Sequence, residues 1–146
     1  MAKKFATRGG QYPITSEFAI DVTTDTMVNS AGAEVDFKTV GSNAFDAILL
    51  PAGAVITGGE VVTEVAVSGS TAYNVSVGDA ASATRYLAAT DHVTAKRTPM
   101  VPTGLVSDGS NVRITVAPTV AAATAGKIAV RITYVIRNRV NEVQTH

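Results

Sequence analysis

The 146 residues, 15.0 kDa in all, fit one domain, large enough to bury roughly two thirds of the surface that an unfolded chain exposes. Twelve basic and twelve acidic side chains cancel, so no broad positive field exists to gather phosphates, and no nucleic-acid partner is expected. Cysteine is absent, which excludes disulfides, thiolate metal sites and thiol nucleophiles together and suits assembly in a reducing cytoplasm.

The 21 valines and 19 threonines favour extended backbone, because β-branched side chains suit a pleated surface. Residues 1–16 combine Lys3, Lys4, Arg8, Gly9, Gly10 and Pro13 without an apolar period. That pattern predicts an extended N-terminal arm ahead of a single β domain spanning 17–146. The positive start is followed by no apolar run of the length that a secretory signal needs, so export by that route is not expected. The longest apolar stretches, at 47–50 and 61–67, fall far short of the roughly 20 residues that span a bilayer, and no membrane segment is expected.

A first strand is expected from Phe18, where Phe18, Ile20 and Val22 share one face and Ala19 and Asp21 the other. Beyond the turn-rich residues 23–32, Val35 and Phe37 alternate with Asp36 and Lys38 in a second half-buried strand. Residues 45–50 are almost continuously apolar, the pattern of a central strand covered on both sides, and Pro51-Ala52-Gly53 turns the chain. Extended structure resumes at 54–56 and passes Gly58-Gly59, where a bend or bulge is expected. It then runs from Glu60 to Val67 and stops at Ser68-Gly69-Ser70.

Tyr73, Val75 and Val77 alternate with Asn74 and Ser76, and Gly78-Asp79 ends that strand. The Asp79 carboxylate is placed to accept hydrogen bonds from backbone N–H groups two or three residues on, capping a short helical turn over 80–82. Arg85-Tyr86-Leu87 returns the chain to the core. Residues 88–106, with Pro99, Pro102 and Gly104, read mostly as loop, with weak strand signals near Val93 and at Met100-Val101. Val112, Ile114 and Val116 then alternate with Arg113 and Thr115. Ile128, Val130, Ile132, Tyr134 and Ile136 alternate with Ala129, Arg131, Thr133 and Val135. The turn at Ala125-Gly126-Lys127 predicts that these two strands pair as antiparallel neighbours, with Arg113 and Arg131 on their shared polar face. A short basic tail follows from Arg137. About eight short strands without an amphipathic helix predict an all-β fold: an antiparallel β-sandwich or jelly-roll-like barrel with at most one short helical turn.

Chemistry is sparse. His92 falls in an expected loop and His146 is the last residue, so a two-histidine metal site needs the terminus folded back. Ser107, His92 and Asp108 formally supply a nucleophilic triad, but Ser-Asp-Gly-Ser is better explained as a turn. Paired carboxylates are open to Glu60 with Glu64 or to Asp21 with Asp36. Aromatics make only 5% with no tryptophan, which weakens sugar-hydrolase and lectin readings alike. Asp79 and Arg85 are either an acid and a guanidinium poised over a ligand or, more simply, a cap and an ion pair. No catalytic residue, metal or cofactor is expected. The basic residues Lys3, Lys4, Arg8, Arg137 and Arg139 sit in the two end segments, and Lys3, Lys4, Phe5, Arg8, Arg137 and Arg139 are the candidate capsid or inter-subunit contacts.

Three ordered stretches carry a resemblance: Ala47-Ile48-Leu49-Leu50-Pro51-Ala52-Gly53-Ala54-Val55-Ile56-Thr57-Gly58-Gly59; Asn74-Val75-Ser76-Val77-Gly78-Asp79 with Arg85-Tyr86-Leu87; and Ala123-Thr124-Ala125-Gly126-Lys127-Ile128 ending at Tyr134-Val135. Together, over roughly residues 45–136, the chain resembles the capsid decoration, or cement, proteins of tailed bacteriophages. The resemblance implies a β-rich knob on the outer surface of the virion, made in the bacterial host cytoplasm and without enzymatic activity. It also implies the major capsid protein as partner and self-association, most often as a homotrimer at junctions between capsid subunits. The competing reading is a receptor- or glycan-binding β module of a head fibre or tail appendage, with Tyr12, Tyr73, Tyr86 and Tyr134 as its available tyrosines.

Overall fold

Strands that bury every second side chain need another apolar surface to cover them, and this chain supplies it with two four-stranded antiparallel sheets. The computed structural model of the protein describes residues 13–137. One sheet has the order β1 (Ile14–Asp21), β10 (Ala125–Ile136), β5 (Ala54–Ser68), β8 (Arg97–Pro99). The other has the order β4 (Asn43–Ile48), β9 (Val112–Thr119), β6 (Ala72–Gly78), β7 (Leu87–Asp91). A separate two-stranded ribbon pairs β2 (Thr26–Val28) with β3 (Glu34–Asp36). The fold is all-β and sandwich-like, as the alternation predicts, and the described residues contain no helix.

The first sheet contributes Ile20, Val61, Ile128, Val130 and Ile132 to the core, and the second contributes Phe45, Val75, Val77, Ile114 and Val116, all buried. Each such side chain stabilises the fold by about 1.5–3 kcal/mol relative to exposure. Phe37, just past β3, packs on Phe45 with ring centroids 4.5 Å apart. The buried Tyr73 donates its Oη–H to the Phe37 carbonyl at 2.8 Å, tying the ribbon segment to the second sheet. Burial, aided by the nearby Asp36 charge, raises the Tyr73 pKa and keeps the phenol a neutral donor.

Several strand assignments differ from the sequence expectation. The strands 112–119 and 125–136 are not neighbours: β9 lies between β4 and β6, β10 between β1 and β5, and Arg113 and Arg131 sit on different sheets. Their connection crosses from one sheet to the other. Val120 takes a positive φ of 71°, and the N–H groups of Ala123 and Thr124 bond Lys38 and Ser68 carbonyls at 3.0 and 2.8 Å. Alternation identifies the face a strand buries, not the strand beside it.

Residues 45–50, expected as a central strand, form edge strand β4 instead. A register shift between Asp46 and Ile48 breaks the alternation, so Phe45 and Ile48 both point inward across three positions while Leu49 is exposed. The run is apolar because of this bulge and not because both faces are covered. Residues 88–106 hold the short strands β7 and β8, and β2 lies within the stretch expected as turn. β8 is three residues long, lies at an edge and ends on Pro99, which explains its faint signature. β1 begins at Ile14, paired with Tyr134, ahead of the expected start at Phe18. The bulge expected near Gly58-Gly59 is present: Gly58 pairs with Thr133 and Ile56 with Tyr134, leaving Thr57 over.

Candidate functional site

The two sheets tie up most of their own outward charge. Arg131 reaches Glu17 through Nε, Glu60 at 3.4 Å and Glu64 at 2.9 Å, while Arg97 pairs with Glu60, so the network crosses all four strands of the first sheet. On the second sheet Arg113 grips Asp46 with bonds of 2.8 and 3.2 Å. Exposed pairs contribute about 0–1 kcal/mol each, and their effect here is to leave the sheet faces electrically self-contained. Glu60 and Glu64, candidates for paired acids, are both held by Arg131. Asp21 and Asp36 cap separate turns, at Thr23 and at Lys38-Thr39.

His92 is fully buried, and its Nδ1 lies 3.0 Å from Thr63 Oγ1. Burial, with the Lys96 charge adding to it and Asp91 opposing, lowers its pKa to about 4. The ring is a neutral core member, absent from the groove where Ser107 and Asp108 lie, so the formal triad is not assembled. A pH dependence follows. Unfolded histidine takes up a proton near pH 6.5 whereas the folded one resists until about 4, so its stabilisation is complete above pH 6.5 and shrinks as the pH falls toward 4. Chemical denaturation at pH 7 and pH 5 is expected to differ by about 2 kcal/mol from this group, and a His92→Gln chain is expected to lose most of that difference.

The end of the sandwich at which Ile14 starts and Arg137 leaves gathers what the faces lack. Ile14 pairs with Tyr134, and Arg137 N–H bonds the Gly53 carbonyl at 2.7 Å. Gly53 and Ala54 in turn exchange bonds of 2.7 Å with Ser107, and Val106 forms a bridge to Val55. Residues 101–111 therefore lie across this pole. Leu49, 80% exposed, and Val101, 70% exposed, stand here with Ile14, Leu105 and Val106. A groove of about 290 Å³ opens beside them. Its apolar walls are Leu50, Tyr86, Leu105 and Val106, and Asp79, Arg85, Asp108 and Asn111 supply its polar groups.

The stretch 78–87 builds one side of that groove. Gly78 ends β6 where residues 82–83 fold back over it, leaving no room for a Cβ. Asp79 Oδ1 accepts from the backbone N–H groups of Ala81 and Ser82 at 2.9 and 2.8 Å, the expected cap, though the turn it closes is not helical. Its Oδ2 pairs with Arg85 Nε. Burial pushes the Asp79 carboxyl up, but the Arg85 bond and the Ser82 and Ala81 N–H groups outweigh it and hold the pKa below the usual range. The pair thus braces a corner. Among the described residues no cluster of three or more metal-ligating side chains occurs.

Of the six candidate contact residues, Arg137 lies on this pole, exposed. Lys3, Lys4, Phe5, Arg8 and Arg139 lie outside the described residues. Sequence reasoning did not single out Leu49, Val101, Leu105 and Val106, since by residue type they match the core. Their signal was position, flanking Pro51, Pro102 and Gly104 in turn-rich segments.

No protein-family model matches the chain, and no curated protein is significantly similar to it. Solved structures are. A chain of the cyanophage Pam1 capsid asymmetric unit is 26% identical, with a TM-score of 0.58 over 92% of this chain and 90% of that one. A chain of the acid-stable capsid of Helicobacter pylori bacteriophage KHP30 shares the fold at a TM-score of 0.62, 15% identity, covering 93% and 96% of the two chains. One from the capsid of Ralstonia phage GP4 does so at 0.59, 10% identity, covering 94% and 92%. The fold of this chain is therefore that of phage capsid proteins, and these neighbours support a structural role in a phage capsid.

Proposed function

We propose that the protein decorates the outer surface of a phage head and stabilises it by bridging major capsid subunits, without catalytic activity of its own. The observation that carries this reading is the likeness to a cyanophage capsid chain along nine tenths of both molecules. The pole adds physical support. Sheet faces that satisfy their own charges give a partner little to pair with, whereas exposed Leu49, Val101 and Leu105, at the pole that also carries Ile14 and the exposed Arg137, offer apolar area. Several modest contacts made at once raise the effective concentration of each, so a small domain holds a large shell without one deep interface. The basic residues Lys3, Lys4, Arg8, Arg137 and Arg139 meet acidic groups of the shell or of a neighbouring copy.

Purified protein added to heads that lack it is expected to bind saturably, at a fixed number of copies per head, and to raise the temperature at which heads open. A chain without residues 2–12 is expected to reach lower occupancy at the same concentration. Heads that take up none of the full-length protein would count against the reading, and selective binding on a glycan array would favour the receptor-binding alternative.

A further inference from the structure

We infer that β1 is the strand through which two copies of this chain join, edge to edge and antiparallel about a two-fold axis at Ser16, so that their first sheets become one continuous sheet. The pairing concerns how copies meet each other and holds wherever they sit on a head.

Two four-stranded sheets present four edge strands: β1, β8, β4 and β7. An open edge is a template for further pairing unless it is shortened, bulged or interrupted by proline. Three of the four are blunted in these ways. β8 is three residues long and ends on Pro99, β4 carries a register shift between Asp46 and Ile48, and β7 is five residues long with a shift in its pairing to β6. β1 is eight residues long and pairs with β10 from Ile14 to Asp21 without a shift.

The outer edge of β1 has its hydrogen-bonding groups free. Val22 N–H donates to the Gly126 carbonyl at 3.0 Å, next to the Asp21–Lys127 pair, so the even-numbered residues of β1 point their backbone groups at β10. The odd-numbered ones point outward. At Asp21 the turn takes both groups: Asp25 Oδ2 accepts from Asp21 N–H at 2.7 Å, and Asp25 N–H donates to the Asp21 carbonyl at 3.1 Å. Thr15, Glu17 and Ala19 are exposed, and their backbone N–H and C=O groups have no partner among the described residues. Such a row accepts an added strand.

The side chains favour a second β1 and choose its register. Outward residues must oppose outward residues, which places the axis on Ser16, Glu17 or Phe18. An axis on Glu17 sets like charges face to face. An axis on Phe18 sets Thr15 against Asp21, whose groups Asp25 already holds. With the axis on Ser16, each Thr15 exchanges both backbone bonds with Glu17 of the second copy, and Pro13, which has no N–H to leave unpaired, falls opposite Ala19. On the inner face each Ile14 then meets the half-buried Phe18 of the second copy. Ile14 needs that cover: along the inner face of β1, exposure rises from 2% at Ile20 to 38% at Ile14.

Disulfide trapping of the full chain tests the register, because the natural sequence has no cysteine. The two Ser16 positions form a pair without mutual backbone bonds, with Cα atoms about 4.5 Å apart, inside the range that a disulfide spans. The two Ala19 positions are about 20 Å apart. Ser16→Cys is expected to form a covalent dimer in a glutathione redox buffer at least tenfold faster than Ala19→Cys. Adding Thr15→Pro, which removes an outward N–H and leaves the β10 ladder intact, is expected to reduce trapping to the Ala19→Cys rate while the chain melts within a few degrees of the parent. Sedimentation velocity of the parent chain is expected to show a monomer–dimer equilibrium that Thr15→Pro shifts at least tenfold toward monomer. Equal trapping at the two positions would overturn the inference. So would trapping or association that survives Thr15→Pro, and so would a parent chain that sediments as a monomer or a trimer at every concentration.

Discussion

Replacing Gly78 by alanine is expected to destabilise the fold by about 3 kcal/mol or more, lowering the melting temperature by about 10 °C. A Cβ at this position would meet the Ser82 carbonyl oxygen at far less than contact distance, with the Ala83 carbonyl carbon at 2.5 Å and its oxygen at 2.8 Å. These are backbone atoms and have no rotamer through which to yield. The 79–86 corner has to lift off β6, which breaks the Asp79 N–H bond to Ser82 O at 2.9 Å and loosens the Asp79–Arg85 pair. Gly58→Ala is the matched control: nothing lies within 4 Å of a Cβ there, and a change below about 1 kcal/mol is expected. Differential scanning calorimetry of the two chains checks the contrast.

Phe45→Ala is expected to cost more, about 3–5 kcal/mol, or roughly 15 °C. Phe45 is fully buried on edge strand β4, and its ring packs against Phe37, which packs in turn against Phe18 of the first sheet with centroids 6.3 Å apart. Removing the ring empties the contact that joins β1, the ribbon and the second sheet at one side of the sandwich. An edge strand has only one neighbour to resist collapse, so Phe45→Leu, which keeps most of the volume, is expected to recover most of the loss. A Phe45→Ala chain as stable as the parent in urea would show that this side of the sandwich is not packed as described.

The fold class was legible because period-two burial leaves a direct mark: the runs around Tyr73, Val112 and Ile128 each put their apolar set into the core. Topology was not legible. Nothing local in 120–124 says that the chain changes sheets, and the contacts that decide it, from Ala123 to Lys38 and from Thr124 to Ser68, join residues far apart in sequence. Strand β4 was misplaced because a bulge mimics two-sided burial, and β7 and β8 were passed over because edge strands tolerate polar residues and proline. The site was partly legible. Gly78, Asp79 and Arg85 announced a corner, and the structure makes it one wall of the groove. The other wall comes from residues 105–112, brought there by long-range pairing of Val106 with Val55, which no spacing rule reveals.

Position on the particle is the most direct measure of the proposed role. A cryo-electron microscopy reconstruction of the intact phage head is expected to show this sandwich of two four-stranded sheets at fixed sites outside the shell, its Leu49–Leu105 pole against the capsid subunits and the charged face of β1, β10, β5 and β8 toward solvent. Finding it inside the shell, confined to the tail, or missing from mature particles would contradict the account.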